Sequence, residues 1–342
     1  MAGVPEGNDA FGKTTAHCLM PNHVAHIPEC DDGGPRPTWS VLVPCYNCAT
    51  LLKETLESVL TQDPGPERME ILVLDDCSDL DDPEAVVRAV GRGRVRFVRQ
   101  AANVGKVRNY ETGLLASRGI LIHQLHGDDR VADGFYQAME AAFAAHPAAG
   151  AFFCESDYID EGGRVTGRTG HEIAQTGILA DWLPRIAEAQ RIQTPAMVVK
   201  REVYEALGGF DRRLDCSEDW EMWIRIANRF SVGFCVEARA QYRYSAGNNS
   251  ARSILNGSRG RVQRRMFEIV DGYLPTAVVA GVEQARARGQ ALFFAGQLPK
   301  VMRANGFAGW LRLCREVVGF SADPFVIRRL LSITVRVLLG KM

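Results

Sequence analysis

From Trp39 onward the sequence alternates short β-branched apolar runs with segments of helical period, which restricts the chain to a mostly parallel sheet covered by helices. Val41-Leu42-Val43 reads as a buried strand. Leu51, Leu52, Leu56, Val59 and Leu60 then share one helical face, and Ile71-Leu72-Val73-Leu74 reads as a second buried strand that runs into Asp75-Asp76. Asp82-Pro83 opens the next helix, because proline suits a first helical turn, and residues 95–98 read as a third strand. The alternation continues through a helix over 105–117, a strand over 120–122, a helix over 134–145 and a strand over 151–153. Beyond it, residues 160–164 read as a hairpin turn, and 196–199, 234–236 and 241–244 as later strands of a mixed sheet.

The two ends have a different texture. Residues 1–37 have no apolar period and read as a disordered tail. Its His17, Cys18, His23, His26 and Cys30 fit no standard zinc-finger spacing. After about Ser253 the strand signals stop, and helical segments follow over 258–273, 275–303 and 307–339, the last broken at 321–324. The expected organisation is therefore a tail over 1–37, an α/β domain over 38–254 and a helical extension over 255–342. In the final helix Arg328, Arg329 and Arg336 share one face, while Phe325, Val326, Leu330, Ile333, Val337 and Leu338 cover much of the rest. That pattern suits a helix lying in a membrane interface and equally a helix packed on protein.

Composition excludes some classes. With 40 basic and 41 acidic side chains, the chain has no global charge that would favour nucleic acid as a partner. Nine scattered cysteines without a charged-then-apolar leader favour a reducing, cytoplasmic setting over a disulfide framework. No run reaches the roughly 18 apolar residues of a membrane span.

The acidic residues carry the chemistry. Ligands of open α/β sheets bind outside the carboxyl ends of the strands, where Asp75-Asp76 and Asp128-Asp129 both fall on this reading. Two carboxylate pairs in one crevice repel unless a cation or a hydrogen-bonding ligand joins them. Mg²⁺ or Mn²⁺ with a diphosphate is the natural partner, because hard cations take oxygen ligands and share them with substrate phosphates. A third acidic site follows Ser217, read as an N-cap that puts Glu218 and Asp219 in a first helical turn. The helix dipole there favours the ionised form that a general base needs.

At this point the residues carry a family resemblance. Ser40 to Asn47 (SVLVPCYN), Leu72 to Ser78 (LVLDDCS), Asn103-Val104-Gly105, Gly127-Asp128-Asp129, Leu207 to Asp211 (LGGFD) and Ser217 to Trp220 (SEDW) resemble, in that order, the motif set of glycosyltransferase family 2. The match covers roughly residues 39 to 250 and implies the GT-A fold, a Rossmann-like mixed sheet with helices on both faces, here with a helical C-terminal appendage. It implies inverting transfer from a nucleotide sugar, a UDP-sugar being the family's usual donor, to a saccharide or glycolipid acceptor. Bacterial surface polysaccharide or glycolipid assembly at the inner face of the cytoplasmic membrane goes with it. By resemblance, Pro44, Tyr46 and Asp76 hold the nucleoside, with Asn47, Asp75, Lys106 and Asp128 also in the donor-binding set. Asp128 and Asp129 form the metal and diphosphate motif, and Asp219, with Glu218 beside it, is the catalytic base. Many members read Asp-x-Asp; His126 occupies the first of those positions here and becomes a candidate ligand.

Several assignments stay open on sequence alone. Lys106 and Arg108 either add positive charge near the donor or sit on a solvated helix face. Arg243 and Ser250 resemble a loop that closes the site in related enzymes, with Ser245 where the family often has histidine. Trp220 and Trp223 form either an acceptor platform or core. Three other classes compete. Cys45-x-x-Cys48 between strand and helix is where thiol-disulfide oxidoreductases put their redox pair. A nucleotidyltransferase needs a basic, glycine-rich loop after the first strand, and residues 44–50 have neither. A non-catalytic nucleotide-sugar-binding protein keeps the donor site without transfer.

Overall fold

The computed structural model describes residues 22–30, 33–244 and 249–339, the last span without the side chains of 249 and 250. Its strands are β1 (Trp39–Cys45), β2 (Met69–Asp75), β3 (Val95–Arg99), β4 (Leu121–Gln124), β5 (Arg130–Val131), β6 (Ala149–Ile159), β7 (Val165–Arg168), β8 (Gly177–Ile178), β9 (Met197–Lys200) and β10 (Ser231–Arg243). The helices of the α/β part are α1 (Ala49–Leu60), α2 (Pro83–Val90), α3 (Lys106–Ala116), α4 (Phe135–Ala145), α5 (Trp182–Glu188), α6 (Arg201–Leu207) and α7 (Glu218–Ala227). They are followed by α8 (Asn249–Asn256), α9 (Arg259–Asp271), α10 (Thr276–Gly296), α11 (Leu298–Phe320) and α12 (Pro324–Leu338).

One mixed sheet runs in the order β3-β2-β1-β4-β9-β6-β10-β5, with β7 on β6 and β8 on β10. The strands β3, β2, β1 and β4 are parallel, in register Ile71↔Val95, Val41↔Ile71 and Val41↔His123, so their carboxyl ends form one rim. Alternation along these strands sorts side chains to two faces. Val41, Val43, Ile71 and Val73 pack with Leu52, Leu56 and Val59 of α1 and Phe135 and Met139 of α4. Leu42, Leu72 and Leu74 pack on the other face with Tyr110 and Leu114 of α3 and with Trp223 of α7. Each such apolar side chain contributes roughly 1.5–3 kcal/mol of burial, so slipping β1 by one residue would forfeit both faces at once.

Two glycines fix α3 against the sheet. Gly105 before its first turn has φ 83°, a left-handed value that favours glycine. Gly113 lies so close to the sheet that an added Cβ would sit 2.4 Å from Leu74 Cδ1. Asn109 completes the contact by donating Nδ2–H to the Leu74 carbonyl at 2.6 Å.

The second half departs from expectation in its details. The strands expected over 234–236 and 241–244 are parts of one strand, β10, whose register with β6 shifts between Cys235 and Arg239. That irregularity breaks the period-two pattern and makes one strand read as two. The elements β5, β8, α5 and α6 were not anticipated, being too short to display a period. Part of the expected disordered tail is ordered: Val24 bridges Asp211, Gly209 N–H donates to the Ala25 carbonyl at 2.9 Å, and Ile27 is 1% exposed. Its partner surface, the loop after α6, exists only in the folded chain. His23 meets Asp211 at 3.5 Å, while His17 and Cys18 of the zinc-like set lie outside the described residues.

The C-terminal helices have their own core of Phe294, Leu298, Val301, Leu313, Val317, Val326, Leu330 and Ile333. Val326, Leu330 and Ile333 thus face protein, which gives the packed reading for that side of α12. The helix break expected between 303 and 307 falls at Gly306 (φ 60°, ψ −154°), inside α11, and a further boundary not expected lies at Gln297. Tyr273 O–H to Glu221 Oε1 (3.1 Å) and Ser217 O–H to Gln263 Oε1 (3.2 Å) tie this region to α7. No described helix is long and apolar enough to cross a membrane.

Candidate active site

The loops after β1 and β2 are locked to each other. Asn47, at φ 51°, accepts from Asp79 N–H (3.0 Å) and Leu80 N–H (3.1 Å) through its side-chain oxygen and donates to Asp79 Oδ1 at 2.9 Å. Tyr46 stands at the rim 46% exposed, its hydroxyl 3.4 Å from the same carboxylate. Pro44 is buried within β1, and its carbonyl accepts Gly127 N–H at 3.0 Å, joining this loop to the acidic turn after β4.

The first acidic pair divides into two roles. Asp75 has no exposed surface: its carboxylate takes Arg99 Nη1 at 2.7 Å and the hydroxyl and N–H of Ser78. It fixes the loop and, in this conformation, offers nothing to a donor, contrary to its place in the expected donor-binding set. Asp76 accepts Val104 N–H (2.8 Å) and Gly105 N–H (3.0 Å), gripping the entry to α3. Burial pushes its pKa up, against the pull of those two N–H groups.

The second pair lies in the turn His126-Gly127-Asp128-Asp129. His126, Asp128 and Asp129 each present a ligand atom, all within 4.8 Å of one another. Asp129 is fully buried; Oδ1 accepts Arg243 N–H at 2.8 Å, while Oδ2 has no hydrogen-bond partner and lies 3.7 Å from His126 Nδ1. Burial and then the Asp128 charge hold the Asp129 pKa well above the usual carboxylate range. Burial likewise lowers that of His126, leaving a neutral imidazole joined to the Tyr110 hydroxyl at 3.0 Å. A buried carboxylate oxygen without a partner, beside a second carboxylate and a neutral imidazole, is a donor set that fits a divalent cation.

The third acidic site meets the first two along α3. Lys106 is no solvated helix position: its Nζ pairs with Glu218 Oε1 at 2.7 Å. Burial lowers the Lys106 pKa, but the charges of Glu218, Cys216 and Asp219 and the hydrogen bond to Glu218 together outweigh it and the net shift is upward. Glu218 Oε2 has no partner. Asp219 is partly open, and its Oδ2 accepts from Gln190 Nε2 (3.1 Å) and Thr194 Oγ1 (3.4 Å). Burial, and then the charge of Glu218, raise its pKa to about 6. This offsets the helix-dipole argument. Ser217, at φ 63°, makes no side-chain cap, its hydroxyl turning to Gln263 instead.

Other assignments are revised. Arg243 is 1% exposed and not part of a surface loop: Nε donates to the Asp128 carbonyl at 2.8 Å, Nη1 to the Asp160 and Glu161 carbonyls at 3.0 Å each, and Nη2 to Glu54 Oε2 at 2.8 Å. The rest of the proposed closing loop, Ser245 to Ser250, lies outside the described residues or side chains. Trp220 and Trp223 belong to the core, with Trp220 Nε1 donating to the Ile186 carbonyl at 2.6 Å. Cys45 and Cys48 are free thiols with sulfurs 3.0 Å apart. The Cys48 thiol is pushed well up, first by its hydrogen bond with Cys45 and then by burial, which is the reverse of an activated redox cysteine. Gln190, Thr194 and Tyr110 were missed. Tyr110 falls one helical turn after Lys106 and could have been found from that spacing. No local signal marks Gln190.

Comparison with known proteins bears on the family and the fold. A model of the family described as Glycosyl transferase family 2 matches residues 40–208. An uncharacterized protein of Mycobacterium tuberculosis is 29% identical over 256 residues, 71% of this chain and 79% of the relative. The minor teichoic acid biosynthesis protein GgaB of Bacillus subtilis is 26% identical over 227 residues, 62% of this chain but only 24% of that protein. Among solved structures, residues 1–349 of S. aureus TarS in complex with UDP-GlcNAc superpose with a TM-score of 0.60 at 16% identity, covering 89% of this chain and 92% of that one. The mannosyltransferase PcManGT of Pyrobaculum calidifontis, in complex with GDP-Man and Mn²⁺, gives 0.56 at 19% identity, covering 90% and 88%. At such identities the likeness speaks for the fold, which is GT-A.

Proposed function

The chain belongs to glycosyl transferase family 2 through residues 40–208, and from that premise we propose that it moves a sugar, with inversion, from a nucleoside-diphosphate sugar to an acceptor hydroxyl. One observation carries the reading. The entry to α3 joins all three acidic clusters: Asp76 grips Val104 and Gly105, Lys106 pairs with Glu218 beside Asp219, and Tyr110 reaches His126 of the metal-type turn.

In the reaction, Asp219 accepts the acceptor's hydroxyl proton as that oxygen bonds to the anomeric carbon and the bond from this carbon to the diphosphate breaks. Gln190 and Thr194 aim the carboxylate. Lys106 stands beside it as a cation neutralised by Glu218. Asp128, Asp129 and His126 would hold Mg²⁺ or Mn²⁺, which would supply positive charge for the leaving phosphate. The nucleoside rests at the rim by Tyr46 and Asp76. A UDP-sugar donor is favoured by the UDP-GlcNAc bound in TarS; the acceptor is a saccharide or glycolipid of a cell-surface polymer, as the name of GgaB suggests.

Two results are expected. A base must be ionised to act, so log kcat climbs with pH at a slope near one and levels off above about 6. A profile flat across about pH 5 to 7 would remove Asp219 from that role. In a thermal-shift panel of nucleotide sugars, one donor raises the melting temperature only with Mn²⁺ or Mg²⁺, by the equivalent of about 2.7 kcal/mol at 100 times its Kd. Asp129→Asn loses the cation-dependent part and keeps its own melting temperature. If no nucleotide sugar stabilises the protein with either cation, the proposal fails.

A further inference from the structure

Charge is segregated along this chain. Residues 255–342 carry 14 Lys and Arg against five Asp and Glu, whereas residues 1–254 carry 26 against 36. A chain of near-zero net charge therefore has one strongly basic end.

On α12 this charge meets an apolar stripe. The inward face is filled by Val326, Leu330 and Ile333. On the opposite side Leu331, Val335 and Leu338 recur at i, i+4 and i+7 and are 60%, 53% and 66% exposed. Arg328, Arg329 and Arg336 are exposed as well, and they have no acidic partner among the described residues. Three other arginines of the helical region do have acidic partners, in Arg264–Glu316, Arg265–Glu268 and Arg286–Asp271. Single exposed leucines are ordinary, but three at helical spacing beside three unpaired arginines are not.

We propose that the outward face of α12 docks on an anionic lipid surface. The helix has 15 residues, about 22 Å, and cannot cross a bilayer, so it lies in the interface with its apolar stripe down and its arginines at the headgroups. A second copy of this chain is the poorer occupant, because a two-fold contact through the stripe sets the three arginines against their own counterparts. The position is also apt. The helix packs on α11, whose Lys300 Nζ reaches the Tyr244 hydroxyl at 3.2 Å, next to the Arg243 that braces the acidic turn. The lipid contact is thereby linked through α11 to the end of β10. The lipid contact itself does not depend on the donor chemistry proposed above.

Flotation of the full chain with vesicles tests this. The wild type should float with vesicles of equal parts phosphatidylglycerol and phosphatidylcholine at low salt, detach as salt rises, and ignore pure phosphatidylcholine. Joint replacement Arg328→Gln, Arg329→Gln and Arg336→Gln should weaken partitioning on the order of 100-fold, from roughly five-fold per basic residue. Joint replacement Leu331→Ser, Val335→Ser and Leu338→Ser should also release the protein. Both variants should keep the wild-type melting temperature and donor-induced shift, since only exposed side chains change. The proposal is overturned if the wild type stays free of the anionic vesicles, or if either triple variant floats as it does. It is equally overturned if light scattering shows a wild-type dimer that the serine variant dissolves. Loss of the donor shift with vesicle binding intact would count against the donor reading alone.

Discussion

Asp219→Asn lowers kcat about 10²- to 10⁴-fold and leaves the donor-induced thermal shift unchanged, because the amide keeps the shape and loses only the capacity to take a proton. The surroundings make this a clean substitution. Oδ1 accepts the neighbouring Trp220 N–H and Oδ2 meets Gln190 and Thr194, so an amide oxygen can retain the backbone contact. Removing a partly open carboxylate whose pKa burial has raised to about 6 also relieves the charge crowding with Glu218, so the variant should melt no lower than the wild type. Turnover within about ten-fold of wild type would assign the proton to another group, Glu218 being nearest in the chain.

Arg243→Met produces the opposite signature, a fall in stability together with loss of the cation-dependent donor shift. The guanidinium is buried and satisfies three carbonyls as well as Glu54. Methionine fills much of the volume but takes the donor from the Asp128 and Glu161 carbonyls, while the Asp160 carbonyl keeps Gly163 N–H. Glu54 is 41% exposed and can turn to water, which puts the loss near the low end of the range for breaking a buried pair, about 3 kcal/mol. A drop in Tm of about 4 °C follows, read by calorimetry. Because Nε holds the Asp128 carbonyl, the turn that presents Asp128 and Asp129 loosens at the same time. Arg243→Lys should recover only part of either effect, since an ammonium cannot span four acceptors in a plane. An Arg243→Met protein that melts like wild type would show that the strut is dispensable.

The pattern of success in reading the sequence has physical causes. The acidic pairs Asp75-Asp76 and Asp128-Asp129 were legible as residues at or just past strand ends because a parallel strand's carboxyl end is a property of chain direction, and both follow apolar runs. Lys106 was ambiguous because a helical period tells which face a residue is on and not what opposes it; its partner Glu218 comes from a distant helix. Arg243 resembled part of a closing loop but proved a strut, since the carbonyls it bridges belong to segments brought together by the pairing of β10 with both β5 and β6. The apolar residues expected to make α12 interfacial turned largely inward, and the outward stripe became visible only once the inward side was known.

The sequence by itself determined the strand and helix order of the first half, the two-faced burial of its sheet and the placing of acidic residues at strand ends, because periods of two and of 3.6 residues are local and need no partner to be read. Tertiary structure alone decided that Asp75 turns to Arg99 while Asp76 grips the entry to α3, that Ile27 joins the core, and that Asp129 keeps one buried oxygen without a partner. Each of these depends on which surface lies opposite a residue, and that is set by contacts between segments far apart in the chain, which leave no periodic trace in either one.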